Sequence, residues 1–503
     1  MVFLSIRRSF SILAGFTTFI LLSGTVYNFH DRSTRGLPIT YEYETRRIEE
    51  YRRLSTRDGN RLLPSAAWSP LSLNECIFGM PAHYAPCVAQ KLSSKKVLYA
   101  EELLYPAFEI RQPRFAVEEH KDRWRNAALR AKERGTLQDS GWLVYKGQSG
   151  QNFVFGNVSY THPKRYDSWS PEACMGSLVS SEDIRSFDPE QVVAVPGHPA
   201  IRQSAIVVLS PDSNSFQHHL DRVTHILMQG SYLTFGEHPH VITGKRGTAF
   251  VDQLWEGLGY RPERVLHSQK EDTYAEKLIF SCRAVLVHPW LSLKTLEAFS
   301  IDYMKESSTR NKIVYMSRSN GRAKNGGRKV LNEPDLLNAI RKLLEERDKG
   351  EELVVFNEKD FATASDLFEW FNSNVMAVVG PHGGAMYHHR WAARGTLIIE
   401  FMPTSFTSMA IFEEASVLSQ TYAAVIVEPS GSGGKDMIID PEYVLSLLSR
   451  HLGVKMRRPR HAEHMGFLSD EIHDDVDDVE NESSLAEDPL KVSYQWGGKE
   501  LGL

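Results

Sequence analysis

A histidine followed by two glycines, His382-Gly383-Gly384, is the kind of turn that can grip an anion. It interrupts the stretch VMAVVGPHGGAMYHHRWAARGTLIIEFM, Val375 to Met402. Glycines at a helix start let the backbone approach a ligand closely. The first helical N–H groups lack internal partners and carry partial positive charge, so they favour phosphate. His382 can add a hydrogen bond of its own. Glu400 falls at the carboxyl end of the following strand, where open α/β sheets place ligand contacts, and can accept bonds from ribose hydroxyls. A second set is the basic loop with Arg318, Arg322, Lys324, Arg328 and Lys329 interleaved with glycines. Arginine forks match phosphate oxygens two at a time. A third is His218 and Asp221, three residues apart and so on one helix face, either of which can take a proton from an attacking hydroxyl. Each set also has a plainer reading. Any α/β domain needs glycine turns, a basic loop can be a solvated surface, and an acid near a helix start is favoured by the helix dipole.

Metal chemistry is not expected. Adjacent histidines such as His388 and His389 point apart on a helix, and neither HExxH nor CxxC is present. Paired acids of the DxD kind occur only in the tail, at Asp474 to Asp478. A diphosphate would therefore be neutralised by arginines and a helix end; a divalent ion is possible but not required.

These residues need a scaffold. Val375 to Val379 reads as a buried parallel strand, Ala385 to Ala393 as a helix ended by a left-handed Gly395, and Thr396 to Phe401 as a second strand. Before them come a strand at Ile313 to Met316, a helix at Glu333 to Arg347, a strand at Leu353 to Phe356 and a helix at Thr363 to Phe371. After them come a helix at Ser405 to Leu418, a strand at Ala423 to Val427, and a last helix at Pro441 to Leu452 that could cross back to the first domain. Earlier in the chain, a charged helix from Phe115, apolar runs at Ala205 to Leu209 and Leu278 to Val287, and an amphipathic stretch at Phe216 to Gln229 indicate another α/β sheet. The expected division is 76–290 and 291–455, followed by an unstructured acidic tail at 456–503.

The chain has 503 residues and a net charge of -5, which does not suggest a nucleic-acid binder. Residues 9–27 carry no charge and follow Arg7 and Arg8. That pattern predicts a membrane anchor with residues 1–8 in the cytosol, a stem at 28–75 and the remainder in the lumen; a cleaved signal peptide is the alternative. Four cysteines, Cys76, Cys87, Cys174 and Cys282, allow two disulfides of open pairing in an oxidising lumen. Asn157-Val158-Ser159 is an N-glycosylation acceptor triplet.

Taken together, the motifs resemble glycosyltransferase family 61 between Phe216 and Val427. Gly380-Pro381-His382-Gly383-Gly384-Ala385 is similar to the family's G-x-HGAG element, with Gly384-Ala385 where the family has Ala-Gly and Met386 where it has Leu. Ser317-Arg318 through Arg328 to Asn332-Glu333 resembles its arginine loop and "R…NE" signature, and Phe216 to Asp221 its H-x-x-D region. The resemblance implies a GT-B architecture, two Rossmann-like domains facing across a cleft. It implies an inverting enzyme of the Golgi or endoplasmic reticulum that takes a sugar from UDP-xylose or UDP-N-acetylglucosamine to a glycan or glycoprotein. Arg318, Arg322, Arg328, Asn332, Glu333, His382, Gly383, Gly384 and Glu400 would hold the donor, and Asp221 or His218 would be the base. A catalytically silent lumenal scaffold or glycan-binding protein of the same fold is the second reading.

Overall fold

The computed structural model describes residues 69–92, 96–130, 135–161, 184–189, 200–210, 214–234, 238–267, 272–282, 287–305, 309–319, 327–431 and 434–453, and short strands at 490–493, 495–496 and 499–500. The expected anchor, most of the stem, Cys174, Arg322, Lys324 and Asp474 to Asp478 lie outside these residues. Among the described residues, no helix is long and apolar enough to cross a membrane.

The first sheet is mixed. Its strands are β1 (Leu71–Leu73), β2 (Val97–Tyr105), β6 (Gln148–Tyr160), β7 (Ile184–Ser186), β8 (Arg202–Val208), β9 (His240–Thr243), β10 (Val265–His267) and β11 (Thr273–Cys282). Their order is β1-β2-β6-β11-β8-β9-β10, with β7 beside β6. Only β11, β8, β9 and β10 run parallel; β1, β2 and β6 pair antiparallel. The expected Rossmann-like sheet is thus realised in its second half alone. Parallel neighbours need a crossover helix laid on their own sheet. The helix between β2 and β6, Glu118–Arg130, goes elsewhere. The chain leaves β3 (Ala107–Arg111), and Arg114 pairs in parallel with Ala423 of the second sheet. Trp124 then packs edge-on against Phe412, with ring centres 5.3 Å apart. Residues expected in the first domain therefore cover the second sheet.

A small antiparallel sheet joins β3, β4 (Thr136–Leu137) and β5 (Trp142–Tyr145). Its outer strand is β17 (Leu490–Ser493), paired antiparallel with β3. The acidic tail is thus not unstructured throughout. An alternating Leu-Lys-Val-Ser segment can pair with an edge that would otherwise present open N–H and C=O groups.

The second sheet is wholly parallel: β12 (Lys312–Tyr315), β13 (Glu352–Val355), β14 (Val375–Pro381), β15 (Leu397–Pro403) and β16 (Thr421–Val427), in the order β13-β12-β14-β15-β16. Its helices follow from local signals. Pro334 opens Glu333–Arg347, and Thr363 and Asp366 form a capping box on Ala364–Asn374. The strand alternation divides the core. Ile313, Ala377, Val379 and Ile399 meet the helices Glu333–Arg347 and Pro441–His451, including Leu336, Ile340 and Leu447. The helix Pro441–His451 stays on this sheet and does not cross back. Val314, Val378 and Ile398 face the other way, into a core shared with Ile206, Val208 and Ile279 of the first sheet. Cys76 and Cys87 are disulfide-bonded, and Cys282 is also in a disulfide.

Several buried histidines sit near this shared core. Burial pushes His219, His288, His388 and His389 down from an ordinary value near 6.5 to about 3, with Arg390 adding to it at His219, His388 and His389. Below about pH 6.5 the unfolded chain binds protons that the folded chain refuses. Stability is then complete above that pH and lost as pH falls, by up to about 1.4 kcal/mol per group per pH unit. We expect a melting temperature that is flat above pH 7 and falls steadily between pH 6.5 and 4.5 in differential scanning calorimetry. A flat profile across that window contradicts the assignment.

Candidate functional site

The strand order of the second sheet, in chain order 2-1-3-4-5, reverses between β12 and β14. Crossovers from these two strands leave on opposite faces, so a crevice opens outside their carboxyl ends. Ser317 and Arg318 follow β12 there, and His382 and Gly383 follow β14. The approach is close. A Cβ at Gly380 would sit 2.8 Å from the Met316 carbonyl oxygen, so only glycine fits. A Cβ at Gly383 would sit 2.1 Å from Nη1 of Arg318. The guanidinium thus occupies the space that Gly383 leaves vacant. A Cβ at Gly384 would meet nothing within 4 Å.

Cations converge on this point. Arg328 is buried and has a left-handed backbone, with φ 62°. Its guanidinium lies 4.6 Å from the centre of the Phe406 ring, and Lys435 Nζ lies 5.9 Å from the same ring. The His382 ring is 5.4 Å from Phe406. Burial, then the Arg328 charge, push Arg318 down, with Asp436 opposing. Burial pushes Arg328 down, with Glu400 opposing. Two guanidinia that repel one another in a partly desolvated crevice are relieved by an anion between them.

Glu400 does not have the expected role. It is wholly buried, and both oxygens are engaged: Oε1 accepts from His382 Nδ1 at 2.5 Å, and Oε2 from the Tyr422 hydroxyl. Enclosed in this way, neither oxygen is open to a ribose. The carboxylate instead fixes the His382 tautomer and ring orientation, leaving Nε2 for other contacts. Asn332 is likewise structural. Its Nδ2 donates to the Ile439 carbonyl at 2.7 Å, and its Oδ1 accepts from the Ile439 N–H at 3.0 Å. Glu333 accepts from Ser317 Oγ at 2.8 Å and from the Tyr315 hydroxyl at 3.1 Å, which steadies the β12 exit beside Arg318. Asn332 and Glu333 therefore act through their neighbours.

The helix expected after the glycines is present at Gly384–Trp391 and is of the 3-10 type. Residues three apart share a face in this geometry, and each face has its own surroundings. Ala385, His388 and Trp391 form one face, where His388 stacks on Phe216 at 4.5 Å and Trp391 on Phe368 at 3.8 Å. Met386 and His389 form a second face, where His389 Nδ1 bonds Gln420 Oε1 at 2.7 Å. Gly384, Tyr387 and Arg390 form the third. Arg390 is buried, with Nη2 3.1 Å from Glu414 Oε1. Burial pushes the Glu414 carboxyl up, while Arg390 pulls it down. Burial, then the Asp221 charge, push Tyr387 well up, and Glu400 and Glu414 act in the same direction. Tyr387 thus stands in the fields of both Asp221 and Glu400. Sequence reasoning missed Tyr387, Arg390, Tyr422 and Phe406. Two of them, Tyr387 and Arg390, stand three positions apart, a spacing that shares a face on any helix and could have marked them as a pair.

His218 and Asp221 are brought together. His218 Nδ1 lies 3.4 Å from Asp221 Oδ1, and Arg222 Nε lies 3.9 Å from the same oxygen. They sit where a short helix, Phe216–His218, passes into a π-helical turn, His219–Val223. Such turns are frequent at functional sites. Beside the β15 and β16 ends, Arg123, Arg130, Thr404 and Thr407 help line a crevice of about 800 Å³. Asn157 is remote from this region. It lies within β6 at φ 48°, next to buried Val158 and Ser159 rather than in a surface loop. Among the described residues, no group of three or more His, Cys, Asp or Glu is placed to hold a metal ion.

The family model described as Glycosyltransferase 61 matches residues 188–399. That span belongs to glycosyltransferase family 61. It contains His218, Asp221, Arg318, Arg328, His382 and Gly383, and ends beside Glu400. No curated protein matches the chain. Among solved structures, two mutants of a flavo di-iron protein from Thermotoga maritima align with 76% of this chain and with 99% and 100% of their own, at 10% and 12% identity and TM-scores of 0.21 and 0.20. Likeness that slight assigns no fold.

The family 61 glycine turn carries a sharp expectation. Gly380→Ala forces a methyl against the β12 backbone and should lower stability by roughly 1–3 kcal/mol in urea unfolding. Gly384→Ala should leave stability unchanged. Equal stability of the two variants would show that the β12–β14 approach is looser than described.

Proposed function

We propose that this chain is an inverting glycosyltransferase of GT-B architecture. It would transfer xylose or N-acetylglucosamine from its UDP derivative to a hydroxyl of a glycan or glycoprotein. The observation that carries the proposal is the placement of Arg318 over Gly383 at the switch point, with Arg328 and a carboxylate-pinned His382 beside it. That is a preformed site for a diphosphate. The crevice lined by Arg123, Arg130, Thr404 and Thr407, beside the β15 and β16 ends, would give room for the rest of the donor. Arg322 belongs to the same basic loop and would join Arg318 and Arg328 on the phosphates. The Gly383 and Gly384 N–H groups would add backbone donors.

The reaction is a single displacement. His218 takes the acceptor hydroxyl proton through Nε2, with Nδ1 turned to Asp221. The oxygen bonds the anomeric carbon as its bond to the diphosphate oxygen breaks, and the electron pair leaves with UDP. Arginine and N–H donors stabilise the charge that develops there. Asp221 orients and balances the imidazole, in the manner of other His–Asp pairs. No metal is assigned a step.

The disulfide between Cys76 and Cys87 favours an oxidising compartment. With the uncharged segment at residues 9–27, it supports a type II protein of the Golgi or endoplasmic reticulum.

Arg318→Ala and His382→Ala should each weaken UDP binding by on the order of tenfold to a hundredfold, the worth of one charge-assisted hydrogen bond. Gly383→Ala should do the same by displacing Arg318. All three should remain folded, and loss of UDP-induced thermal stabilisation is the readout. His218→Ala and Asp221→Asn should keep that stabilisation and lose turnover, measured as UDP release. Undiminished UDP binding by Arg318→Ala, His382→Ala and Gly383→Ala would falsify the donor site. A silent scaffold would show UDP binding without release of UDP in any of the proteins, wild type included.

A further inference from the structure

A second cavity opens one strand away, at the carboxyl end of β13. It measures about 380 Å³, and its walls include Phe356, Asn357, Asp360, Phe361, Asp366 and Trp370. The size is in the range of small-ligand pockets. Phe356 and Phe361 have ring centres 6.4 Å apart with planes inclined by 30°, and Trp370 meets Phe361 edge-on at 5.4 Å. Two carboxylates flank the rings, each tied down through one oxygen. Asp360 Oδ1 accepts from Asn357 Nδ2 at 2.7 Å, and Asp366 Oδ2 accepts from Thr363 Oγ1 at 2.8 Å. The other oxygen of each has no hydrogen bond among the described residues. Rings of aromatic carbon therefore adjoin fixed acceptors.

That combination suits a neutral sugar ring. The C–H face of a pyranose is weakly positive and lies on the negative face of an aromatic ring. Its hydroxyls donate to carboxylate oxygens. Holding the acceptors in advance lowers the entropy cost of binding. Phosphate or uronate would meet two like charges. Packed rings also link the wall of the cavity to the proposed transfer site. Phe356 lies 5.0 Å from His388, which stacks on Phe216 at 4.5 Å, two residues before His218.

We infer that this cavity is an acceptor subsite that takes a neutral sugar ring of a glycan, a few rings from the hydroxyl that reacts. The inference rests on the transferase reading given above. It makes the acceptor an oligosaccharide chain rather than a bare protein side chain.

The test uses the full chain and calorimetric titration with tetrasaccharides of xylose, mannose and N-acetylglucosamine, and with tetralysine as a cationic control. At least one tetrasaccharide should bind, and Trp370→Ala and Asp360→Ala should weaken it tenfold or more. Stabilisation by UDP should be unchanged in both variants. Asp360 is exposed, so Asp360→Ala decides the matter if Trp370→Ala does not fold. Failure of every tetrasaccharide to bind, or binding that neither variant weakens, overturns the subsite. So does binding of tetralysine alone, which would mark a cationic-peptide site instead. Absence of UDP stabilisation in the wild-type chain would be the separate failure of the donor reading.

Discussion

Two guanidinium groups held within electrostatic reach of each other, in a crevice that is only partly wet, set the terms for the rest of this site. Like charges so placed raise the free energy of the empty crevice. The protein accepts that cost by packing one of them, Arg328, over the face of Phe406 and laying the other, Arg318, where Gly383 has no side chain. The left-handed backbone at Arg328 is of the same character, an uncommon conformation kept at a point of convergence. Glu400 supplies part of the compensation, but from below the surface. Its charge reaches Arg328, while its oxygens are spent on His382 and Tyr422. The net result is an upper rim of cations on a rigid base, the arrangement that favours an anion in the mouth.

The 3-10 helix after the glycines transmits that rigidity to the other half of the molecule. With three residues per turn its faces do not drift, as they would in an α-helix. One face is committed to aromatic packing around Phe216 and Phe368, and another to the Gln420 side chain. The face left over brings Tyr387 and Arg390 among Asp221, Glu400 and Glu414. A change in the position of the glycine turn would therefore be felt at the His218–Asp221 pair. The shared apolar core, which unites residues of both sheets, makes the two halves a single mechanical body at this level.

The path of the chain reinforces this union. Arg114 adds to the edge of β16, the Arg123 guanidinium donates to the Ile426 carbonyl at 2.7 Å, and the Arg450 guanidinium donates to the Phe115 carbonyl at 2.7 Å. An early segment thus seals the side of the later sheet before the chain returns to complete the earlier one.

The sequence by itself determined the second sheet. Its β-branched runs, proline-led helices and capping box are local signals, and the glycine turn, Gly395 at φ 74° and the cations followed from residue type and spacing. The pairing of His218 with Asp221 was also legible, because three-residue spacing fixes a shared face. Tertiary structure alone decided what covers each face. Glu400 stands in a strand buried on both sides, and an otherwise apolar run cannot say whether its one carboxylate points at a ligand or at Tyr422. Asn332 has the look of a ligand residue until Ile439, over a hundred positions later, is seen to use both ends of its amide. The allegiance of Glu118–Arg130 was hidden for the same reason. Periodicity records that a face is buried, but the partner that buries it is chosen by long-range packing, which leaves no mark in local sequence.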